Sequence, residues 1–355
     1  MRVLYIAGRE QGYSRTRNVM KALQMNGVEV IACFPPDRSF RHYPGLLWRL
    51  VRNRHSYDVL LVGFYGQLLM PWARLFAKAP ILYDMYITTY DTMVFDRQVA
   101  KPGSVRAWLC ALSDRLSMRL ADLVVLESED HIGSCERRFR TPRRKFRRVF
   151  LATDDEVVKP RPVVAKNDRF LVHFHGEYAP FHGVKYILQA AHLLRDEGVE
   201  FQLIGRGITY EDDRRLAEEL GLTNVRFIDC VPFEELADYM SRADVCLGIF
   251  GDNERVSRVV TNKVIEAIAV GKPLISSRNA PIQELLVDGE SVLLCERANP
   301  HSLAQAILRL KNDARLREKI AQGGRQVFLR HCTCELLGRQ LQTIAGELLH
   351  AKRQN

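Results

Sequence analysis

Short apolar runs alternate with amphipathic segments along the first half of the chain. Apolar runs bounded by polar residues or glycine predict strands, and apolar positions spaced three and four residues apart predict helices. The predicted strands are residues 2–8, 28–34, 58–64, 80–84, 122–127 and 146–152, and the predicted helices are residues 14–26, 67–78 and 105–120. This alternation is typical of a parallel, doubly wound sheet.

The segment KPRPVVAKND, residues 159–168, interrupts the pattern with two prolines and mixed charges, which predicts a linker. The alternation then restarts, with predicted strands at 170–176, 199–205, 224–230, 244–250 and 273–277 and predicted helices at 184–197, 210–220, 234–243 and 261–270. The sequence therefore predicts an α/β protein with two doubly wound domains, 1–160 and 161–335, that face each other across a cleft. Ligands of such sheets bind at the carboxyl ends of the strands.

One predicted helix carries a single carboxylate inside its apolar run. In TNKVIEAIAVGKPLISS, residues 261–277, the apolar positions recur at helical spacing around Glu266, and Gly271 with Pro273 ends the helix. A helix followed at once by a buried strand is half of an α/β unit, and the pattern leaves open what the lone carboxylate of Glu266 does; a rim carboxylate paired with an arginine is the structural alternative to a functional role.

Composition narrows the class of protein. The chain has 355 residues, 47% apolar and 26% charged, as in soluble globular proteins. Its longest uncharged run, residues 59–73, is shorter than the roughly 20 residues of a spanning helix, and the opening MRVLYIAG predicts a strand rather than a signal peptide.

The 8 cysteines form no Cys-x-x-Cys pair, which favours buried free thiols in the cytoplasm over a metal site.

Charge is uneven along the chain. Residues 1–150 hold 25 Lys+Arg and 13 Asp+Glu, a net of +12, so the remainder holds 52 − 25 = 27 basic and 42 − 13 = 29 acidic residues, a net of −2. The basic residues are densest at 137–148, and GLLWRLVRNR (residues 45–54) sets Trp48 and Leu50 among arginines. Such a surface can hold phosphates or anionic lipid headgroups, although a solvated face is the simpler alternative.

Five segments of the second half, in order, resemble the donor-binding domain of family 4 glycosyltransferases with the GT-B fold. They are HFHGEYAPFHGVKYILQAAHLL, LIGRG, ADVCLGIF, TNKVIEAIAVGKPLISS and IQELLVDGESVLLCERANPHSLAQAI. The resemblance implies transfer of a sugar from a nucleotide-sugar donor of the UDP or GDP type. It also implies a metal-independent reaction, without a further cofactor, that generally retains the anomeric configuration. Chains of this fold commonly end in a helix that crosses back onto the first domain, which predicts that role for residues 336–355, with a dimer helix as the alternative.

The resemblance also implies where the donor binds. Glu266 corresponds to the carboxylate that accepts hydrogen bonds from the ribose hydroxyls, a strong charge-assisted contact. The helix N-terminus beside it suits a diphosphate. The other donor-site residues that the resemblance implies are Thr261, Asn262, Gly176 and Gly205.

This sequence departs from the family pattern at three places. Arg258 stands where members often carry a glutamate that touches the donor sugar, and Glu177 and His182 stand where they usually hold an arginine and a lysine for the diphosphate. We therefore expect Lys263, Arg258 and Lys185 to meet the anion, with His182 beside it. A catalytically degenerate GT-B binding subunit is the alternative function.

The loop GREQGYSRT opens the candidate acceptor side. Gly8 and Gly12 allow a ligand to approach the backbone, Arg9 and Arg15 are candidate phosphate ligands or surface charges, and Ser14 is the expected N-cap. The third glycine of a dinucleotide fingerprint is missing, which disfavours NAD.

Two aspartates lie at the end of the predicted strand PILYD and just beyond it. Asp84 ends it and Asp91 lies in the loop beyond, at the edge where α/β enzymes place reacting groups. We expect Asp84 to orient the acceptor or stabilise positive charge. If the reaction inverts, Asp84 or Asp91 is the general base, and turn capping is the structural alternative for both.

The basic first half and the resemblance together predict a peripheral protein at the cytoplasmic face of an anionic membrane, acting on a lipid-linked or saccharide acceptor in envelope polysaccharide or glycolipid synthesis. A nucleic-acid partner is disfavoured because no groove-reading helix or aromatic RNA platform is present.

Overall fold

The computed structural model describes residues 1–163 and 168–354, which form two compact units. The first unit comprises Met1–Val94, Gln98–Ala152 and the chain from Thr333 onward, and the second comprises Phe95–Arg97 and Thr153–Cys332. The chain thus leaves the first unit before the predicted boundary at residue 160. Residues 164–167 of the predicted linker lie outside the described residues.

The first unit contains a parallel sheet with the strand order β2-β1-β3-β4-β5-β6. The strands are β1 (Arg2–Ile6), β2 (Glu29–Cys33), β3 (Val59–Val62), β4 (Ile81–Asp84), β5 (Leu123–Leu126) and β6 (Phe146–Arg148). β3, β4 and β5 are buried along their whole length. Such uninterrupted burial requires the apolar runs seen in the sequence, because helices cover both faces of a parallel sheet.

The helices of the first unit before residue 152 lie between these strands. They are α1 (Ser14–Met25), α2 (Tyr43–Arg52), α3 (Met70–Phe76), α4 (Thr89–Asp91), α5 (Val105–Leu120) and α6 (Glu129–Phe139). Ser104 and Ser128 cap α5 and α6 by accepting a backbone N–H three residues ahead. The predicted N-cap role of Ser14 is wrong: Ser14 is the first helical residue of α1, and Tyr13 holds the N-cap position with extended backbone.

The second unit repeats the architecture, with the strand order β12-β11-β10-β7-β8-β9 and parallel pairing throughout. Its strands are β7 (Phe170–His175), β8 (Val199–Ile204), β9 (Val225–Ile228), β10 (Val245–Leu247), β11 (Leu274–Ser277) and β12 (Leu293–Cys295). Its helices are α7 (Val184–Leu193), α8 (Tyr210–Glu219), α9 (Leu236–Arg242), α10 (Asn262–Val270), α11 (Ala280–Leu285), α12 (Pro300–Asn312) and α13 (Ala314–His331). The predicted α/β class with two doubly wound parallel sheets is confirmed.

The last helix, α14 (Cys334–Gln354), belongs to the first unit and packs along α1. Its apolar stripe, including Leu337, Leu341 and Ile344, is buried in the same cluster as Val19 and Leu23 of α1. Gly338 permits the close approach, because a Cβ there would lie 2.0 Å from the carbonyl oxygen of Ala22. No helix within residues 1–163 and 168–354 is long and apolar enough to cross a membrane.

Candidate functional site

The helix α10 presents the candidate ribose ligand of the second unit. It begins at Asn262, with Thr261 at the N-cap in extended conformation, and ends at Gly271, whose φ of 73° is left-handed. Each residue from Lys263 to Val270 is buried, including the Glu266 carboxylate. Because an ionised carboxylate is rarely buried without a partner, the groups around Glu266 decide what it can do.

Glu266 contacts a histidine of the neighbouring strand β7. Nε2 of His175 lies 2.8 Å from Oε2 of Glu266. Nδ1 of His175 lies 2.9 Å from Nε2 of His173, and Nδ1 of His173 lies 3.0 Å from Nε2 of Gln202 on β8. The roles of His175, His173 and Gln202 were not identified from the sequence. The available signal was the alternation in FLVHFHG, which places both histidines on one face of the strand.

Lys263 lies one turn before Glu266 and contacts a second histidine. Its Nζ is 2.8 Å from Nε2 of His182, whose Nδ1 donates to the carbonyl oxygen of Glu177. Burial lowers the pKa of Lys263 to about 7, and the Glu266 carboxylate opposes that shift. Burial and the neighbouring Lys263 keep the pKa of His182 well below its usual value. An anion at this position would restore full charge to Lys263.

The other two predicted anion ligands, Lys185 and Arg258, each contact a carboxylate of the protein. Lys185 is 3.1 Å from Asp252, and the Arg258 guanidinium contacts Glu254. Among the described residues, Lys263 contacts a histidine and no carboxylate at ion-pair distance. Of the three predicted cations, Lys263 is therefore the one without a carboxylate at ion-pair distance among the described residues.

Glu177, which the sequence comparison places where an arginine is usual, has a cation beside it. Nη2 of Arg97 lies 3.2 Å from Oε1 of Glu177. The segment Phe95–Arg97 belongs to the second unit, where Asn253 also donates to the carbonyl oxygen of Phe95. The pairing offsets the negative charge of Glu177 and so weakens the repulsion that this carboxylate would exert on a diphosphate.

The two predicted donor-site glycines are favoured by their backbone conformation, and Gly205 also by crowding. A Cβ on Gly176 would lie 3.0 Å from the Lys263 ammonium, and a Cβ on Gly205 would lie 2.2 Å from the carbonyl oxygen of Gly176. Both residues also have positive φ, at 139° and 124°. Gly176 and Gly205 thus allow the ends of β7 and β8 to approach each other and Lys263.

The N-terminus of α10 has an unused polar group. The hydroxyl of Thr261 is buried and has no hydrogen-bond partner among the described residues. The first turn of α10 carries no acidic residue. The positive end of the helix dipole at this turn is consistent with an anion, as predicted for Thr261 and Asn262.

Asp84 and Arg15 form a buried ion pair in the first unit. Nε and Nη2 of Arg15 lie 2.9 and 2.8 Å from the two oxygens of Asp84, and both side chains are buried. Burial lowers the pKa of Arg15, but Asp84 more than offsets that effect and raises it. Arg15 is thus not a surface charge, and both oxygens of Asp84 accept from it.

Asp91 is the last residue of the short helix α4, whose first two residues are bound by Asp114. The backbone N–H groups of Thr89 and Tyr90 donate to the two oxygens of Asp114 at 2.8 Å each, and the N–H of Asp91 donates to Thr88. Asp91 itself is buried. Burial raises the pKa of Asp114 to about 7. The general-base roles considered for Asp84 and Asp91 stay predictions.

The two glycines of the first loop differ in their surroundings. A Cβ on Gly8 would lie 2.3 Å from the Tyr43 hydroxyl, whereas a Cβ on Gly12 would meet no atom within 4 Å. Arg9 contacts Glu10 at 2.9 Å and lies 4.2 Å over the Tyr13 ring. Gly8 is therefore required by packing, and only Gly12 leaves space for a ligand.

All 3 tryptophans of the chain lie on neighbouring helices of the first unit and are largely exposed. Trp48 lies on α2, Trp72 on α3 and Trp108 on α5, and α3 packs against both other helices. Exposed apolar side chains near the last two are Leu68, Leu75, Val105, Leu109, Leu112 and Leu116. Leu50 is fully buried, so its predicted place on an exposed surface is wrong. We call the exposed residues of α2, α3 and α5, with Leu68, the tryptophan face.

Within the described ranges, no three His, Cys, Asp or Glu side chains are grouped so as to hold a metal ion. The 8 cysteines are free, and Cys230 is the exposed one among them. The predicted metal-independence stays a prediction.

The two units together have the GT-B fold. The chain superimposes on sucrose-phosphate synthase from Thermosynechococcus elongatus with a TM-score of 0.80, at 17% identity and over 99% of each chain. It also superimposes on Anabaena HepE, solved in complex with UDP-glucose, with a TM-score of 0.74, at 14% identity and over 98% of this chain and 100% of that one.

Residues 169–313 match the model of the family Glycosyl transferases group 1. An uncharacterized glycosyltransferase of Methanocaldococcus jannaschii is 28% identical over 153 residues, which are 43% of this chain and 41% of that protein. The chain thus spans less than half the length of this curated relative. The expected resemblance to group 1 glycosyl transferases is confirmed, and family 4 in particular stays a prediction.

Proposed function

We propose that the protein is a glycosyltransferase that moves a sugar from a nucleotide-sugar donor, of the UDP or GDP type, to a saccharide or lipid-linked acceptor. The observation that carries the proposal is the buried Glu266 carboxylate on α10, within the segment that matches the family. The UDP-glucose bound to Anabaena HepE, which shares the fold, supports a nucleotide-sugar donor.

The ribose and the diphosphate of such a donor have chemically suitable partners in the second unit. Glu266 accepts hydrogen bonds from the ribose hydroxyls. The α10 N-terminus, with the unused Thr261 hydroxyl, and the buried Lys263 ammonium bind the diphosphate. His182 contacts Lys263, and Gly176 and Gly205 have no side chain that would crowd it; we keep Arg258 as a further candidate ligand of the diphosphate.

In the proposed reaction the bond between the anomeric carbon and the donor phosphate breaks, and an acceptor oxygen bonds to that carbon. We propose that the configuration is retained, that no metal ion takes part, and that the departing phosphate takes the acceptor proton. The bidentate contact with Arg15 uses both oxygens of Asp84, which disfavours a nucleophilic role for that carboxylate.

A ligand screen followed by a turnover assay tests this function. UDP-, GDP-, ADP- and CMP-sugars are added singly in a melting assay, where a donor at 100 times its Kd should stabilise the fold by about 2.7 kcal/mol. Nucleotide release is then measured with the stabilising donor, with Glu266→Gln as the matched variant. Stabilisation without release, with or without added membrane lipids, would favour the degenerate binding subunit. No stabilisation by any donor would contradict the proposal.

We further propose that the acceptor is held at an anionic membrane, with the protein bound peripherally at the cytoplasmic face through the tryptophan face. Tryptophan is normally well buried and is enriched at membrane interfaces, so three exposed tryptophans on adjoining helices are unusual for a solvated surface. The acidic residue of α2, α3 and α5 is Asp114, which is buried, whereas their basic residues are Arg49, Arg52, Arg74, Arg106, Arg115 and Arg119. The basic residues of the tryptophan face can bind anionic lipid headgroups, and its exposed apolar side chains can insert into the membrane interface. Such a site suits an enzyme of envelope polysaccharide or glycolipid synthesis.

Vesicle flotation and tryptophan fluorescence test the membrane proposal. Binding should occur on anionic vesicles, weaken at high salt because the Debye length is roughly 8 Å at physiological ionic strength, and shift the emission to the blue. Trp72→Gln with Trp108→Gln should remove most of the binding, whereas Val287→Gln with Leu329→Gln, exposed apolar residues of the second unit, should not. Failure to bind either anionic or neutral vesicles would overturn the proposal.

A further inference from the structure

We propose that Gln202, His173 and His175 form a directional hydrogen-bond relay that fixes the Glu266 carboxylate for ribose binding. This inference rests on the proposed nucleotide-sugar function. The relay connects three elements of the second unit, since the histidines lie on β7, the glutamine on β8 and the glutamate on α10. Its members are all buried. The three histidine contacts lie between 2.8 and 3.0 Å, within ordinary hydrogen-bond range.

The contact between Gln202 and His173 determines which group donates and which accepts along the relay. Nε2 of Gln202 also lies 3.0 Å from the carbonyl oxygen of Tyr239, which can only accept a hydrogen bond. The group facing Tyr239 is therefore the amide NH₂, and its second hydrogen points to Nδ1 of His173 at 3.0 Å. Nδ1 of His173 must then be the unprotonated nitrogen of that ring.

The remaining links follow from the two forms of a neutral imidazole, in which one nitrogen donates and the other accepts. Because Nδ1 of His173 accepts, its Nε2 donates to Nδ1 of His175. Nε2 of His175 is then the protonated nitrogen, and it donates to Oε2 of Glu266. Burial and the neighbouring His175 hold the pKa of His173 well below its usual value, which keeps that ring neutral.

The relay occupies one of the two carboxylate oxygens of Glu266. His175 donates to Oε2, and no group among the described residues donates to Oε1. A donor on one oxygen fixes the plane of the carboxylate without a direct contact to a cation. The other oxygen can then accept from the vicinal hydroxyls of a ribose, and such hydrogen bonds to a carboxylate are stronger than those to a neutral acceptor.

His175, His173 and Gln202 are thus positioning residues that act through Glu266. A merely structural cluster of buried polar groups would contribute to stability and would affect every ligand alike. A positioning relay affects the ribose contact alone. The two possibilities differ in how binding depends on the ribose hydroxyls.

The test measures affinities of UDP and GDP and of their 2′,3′-dideoxy counterparts by calorimetry. In the natural protein the preferred diphosphate should bind better than its dideoxy form. His175→Phe removes both ring nitrogens in a similar volume and should weaken binding of the diol-bearing nucleotide by about tenfold, the scale of one hydrogen bond to a charged group. It should leave the dideoxy form unchanged. His175→Gln, which retains an amide donor, should restore much of the preference.

Val172→Ala is the matched control, because Val172 lies on β7 but packs in the apolar core on the opposite face. It should lower the melting temperature without changing the ratio of the two affinities. An equal loss for both nucleotides in His175→Phe, or an unchanged ratio, would overturn the relay while leaving the proposed function intact. If the natural protein binds neither UDP nor GDP, the proposed donor function and the relay that rests on it fail together.

Discussion

Two buried carboxylates, one in each unit, are held in different ways. Asp84 at the end of β4 accepts two hydrogen bonds from Arg15, one on each oxygen. Glu266 on α10 accepts one from His175, on one oxygen. Arginine is always charged, so its bidentate contact neutralises Asp84 and fills its best acceptor positions. The single contact from His175 leaves the second oxygen of Glu266 free to accept from a ligand.

The comparison shows that the partner, rather than burial, determines what a buried carboxylate can do. Both side chains were singled out from the sequence because each follows or interrupts an apolar run. Asp84 has the surroundings of a structural ion pair, in which removing one partner leaves an uncompensated charge. Glu266 has the surroundings of a ligand-binding group that is oriented but not neutralised.

The largest effect is expected from breaking the Asp84–Arg15 pair. Arg15→Met leaves the Asp84 carboxylate buried without its cation and should lower the free energy of unfolding by about 3–5 kcal/mol, measured by denaturant titration. Arg143→Met, which breaks an exposed pair with Glu129, is the control and should cost less than about 1 kcal/mol. Adding Asp84→Leu to Arg15→Met should recover much of the loss. Equal stability of Arg15→Met and the natural protein would show that the pair is not a structural element.

The corresponding change in the second unit should affect binding more than stability. Glu266→Gln keeps the shape of the side chain but replaces an ionised acceptor by a neutral amide. We expect nucleotide affinity to fall by roughly 1.5–3 kcal/mol, as for a lost hydrogen bond to a charged group, with the fold intact. Calorimetry measures the affinity and circular dichroism the fold. Unchanged affinity would remove Glu266 from the donor site.

Stability and nucleotide binding should depend on pH through Lys263, because its ammonium contacts a neutral His182 rather than a carboxylate. Its pKa is lowered from 10.5 to about 7 by burial. Between these values the unfolded chain binds more protons than the folded one, so stability should rise with pH across this window and be lost as pH falls toward 7.

A bound diphosphate should reverse this shift, because it stabilises the ammonium. Nucleotide binding should therefore take up a proton above pH 7, and affinity should fall with pH by at most about tenfold per unit. Calorimetry in buffers of different ionisation enthalpy detects the proton. Lys263→Arg, which stays charged, should lose the pH dependence, and a dependence that survives this change would assign it to another group.

The smallest effect on stability is expected at Gly12, where a Cβ has open space. Gly12→Ala should change the free energy of unfolding by less than about 1 kcal/mol, in contrast to Gly8→Ala, whose Cβ collides with Tyr43. If a ligand approaches the Gly12 backbone as predicted, Gly12→Ala should weaken acceptor use in a turnover assay without loss of stability. Unimpaired acceptor use would exclude Gly12 from ligand contact.

The sequence by itself determined the class of fold and the placement of α10. Periodicity is a local property, so the apolar runs of β3 to β5 and the stop formed by Gly271 and Pro273 could be interpreted without knowing any partner. Glu266 could be singled out for the same reason, because a charge inside an apolar helical run is visible in the sequence alone.

Tertiary structure decided which groups surround these residues. Arg15 and Asp84 are 69 positions apart and His175 and Glu266 are 91 apart, and no local pattern encodes such pairings. The roles of Arg15, predicted as a phosphate or surface cation, and of Leu50, predicted as exposed, depend on what packs against them. The charge and orientation of a buried group depend on its partners across the fold, because in a poorly solvated interior those partners replace water.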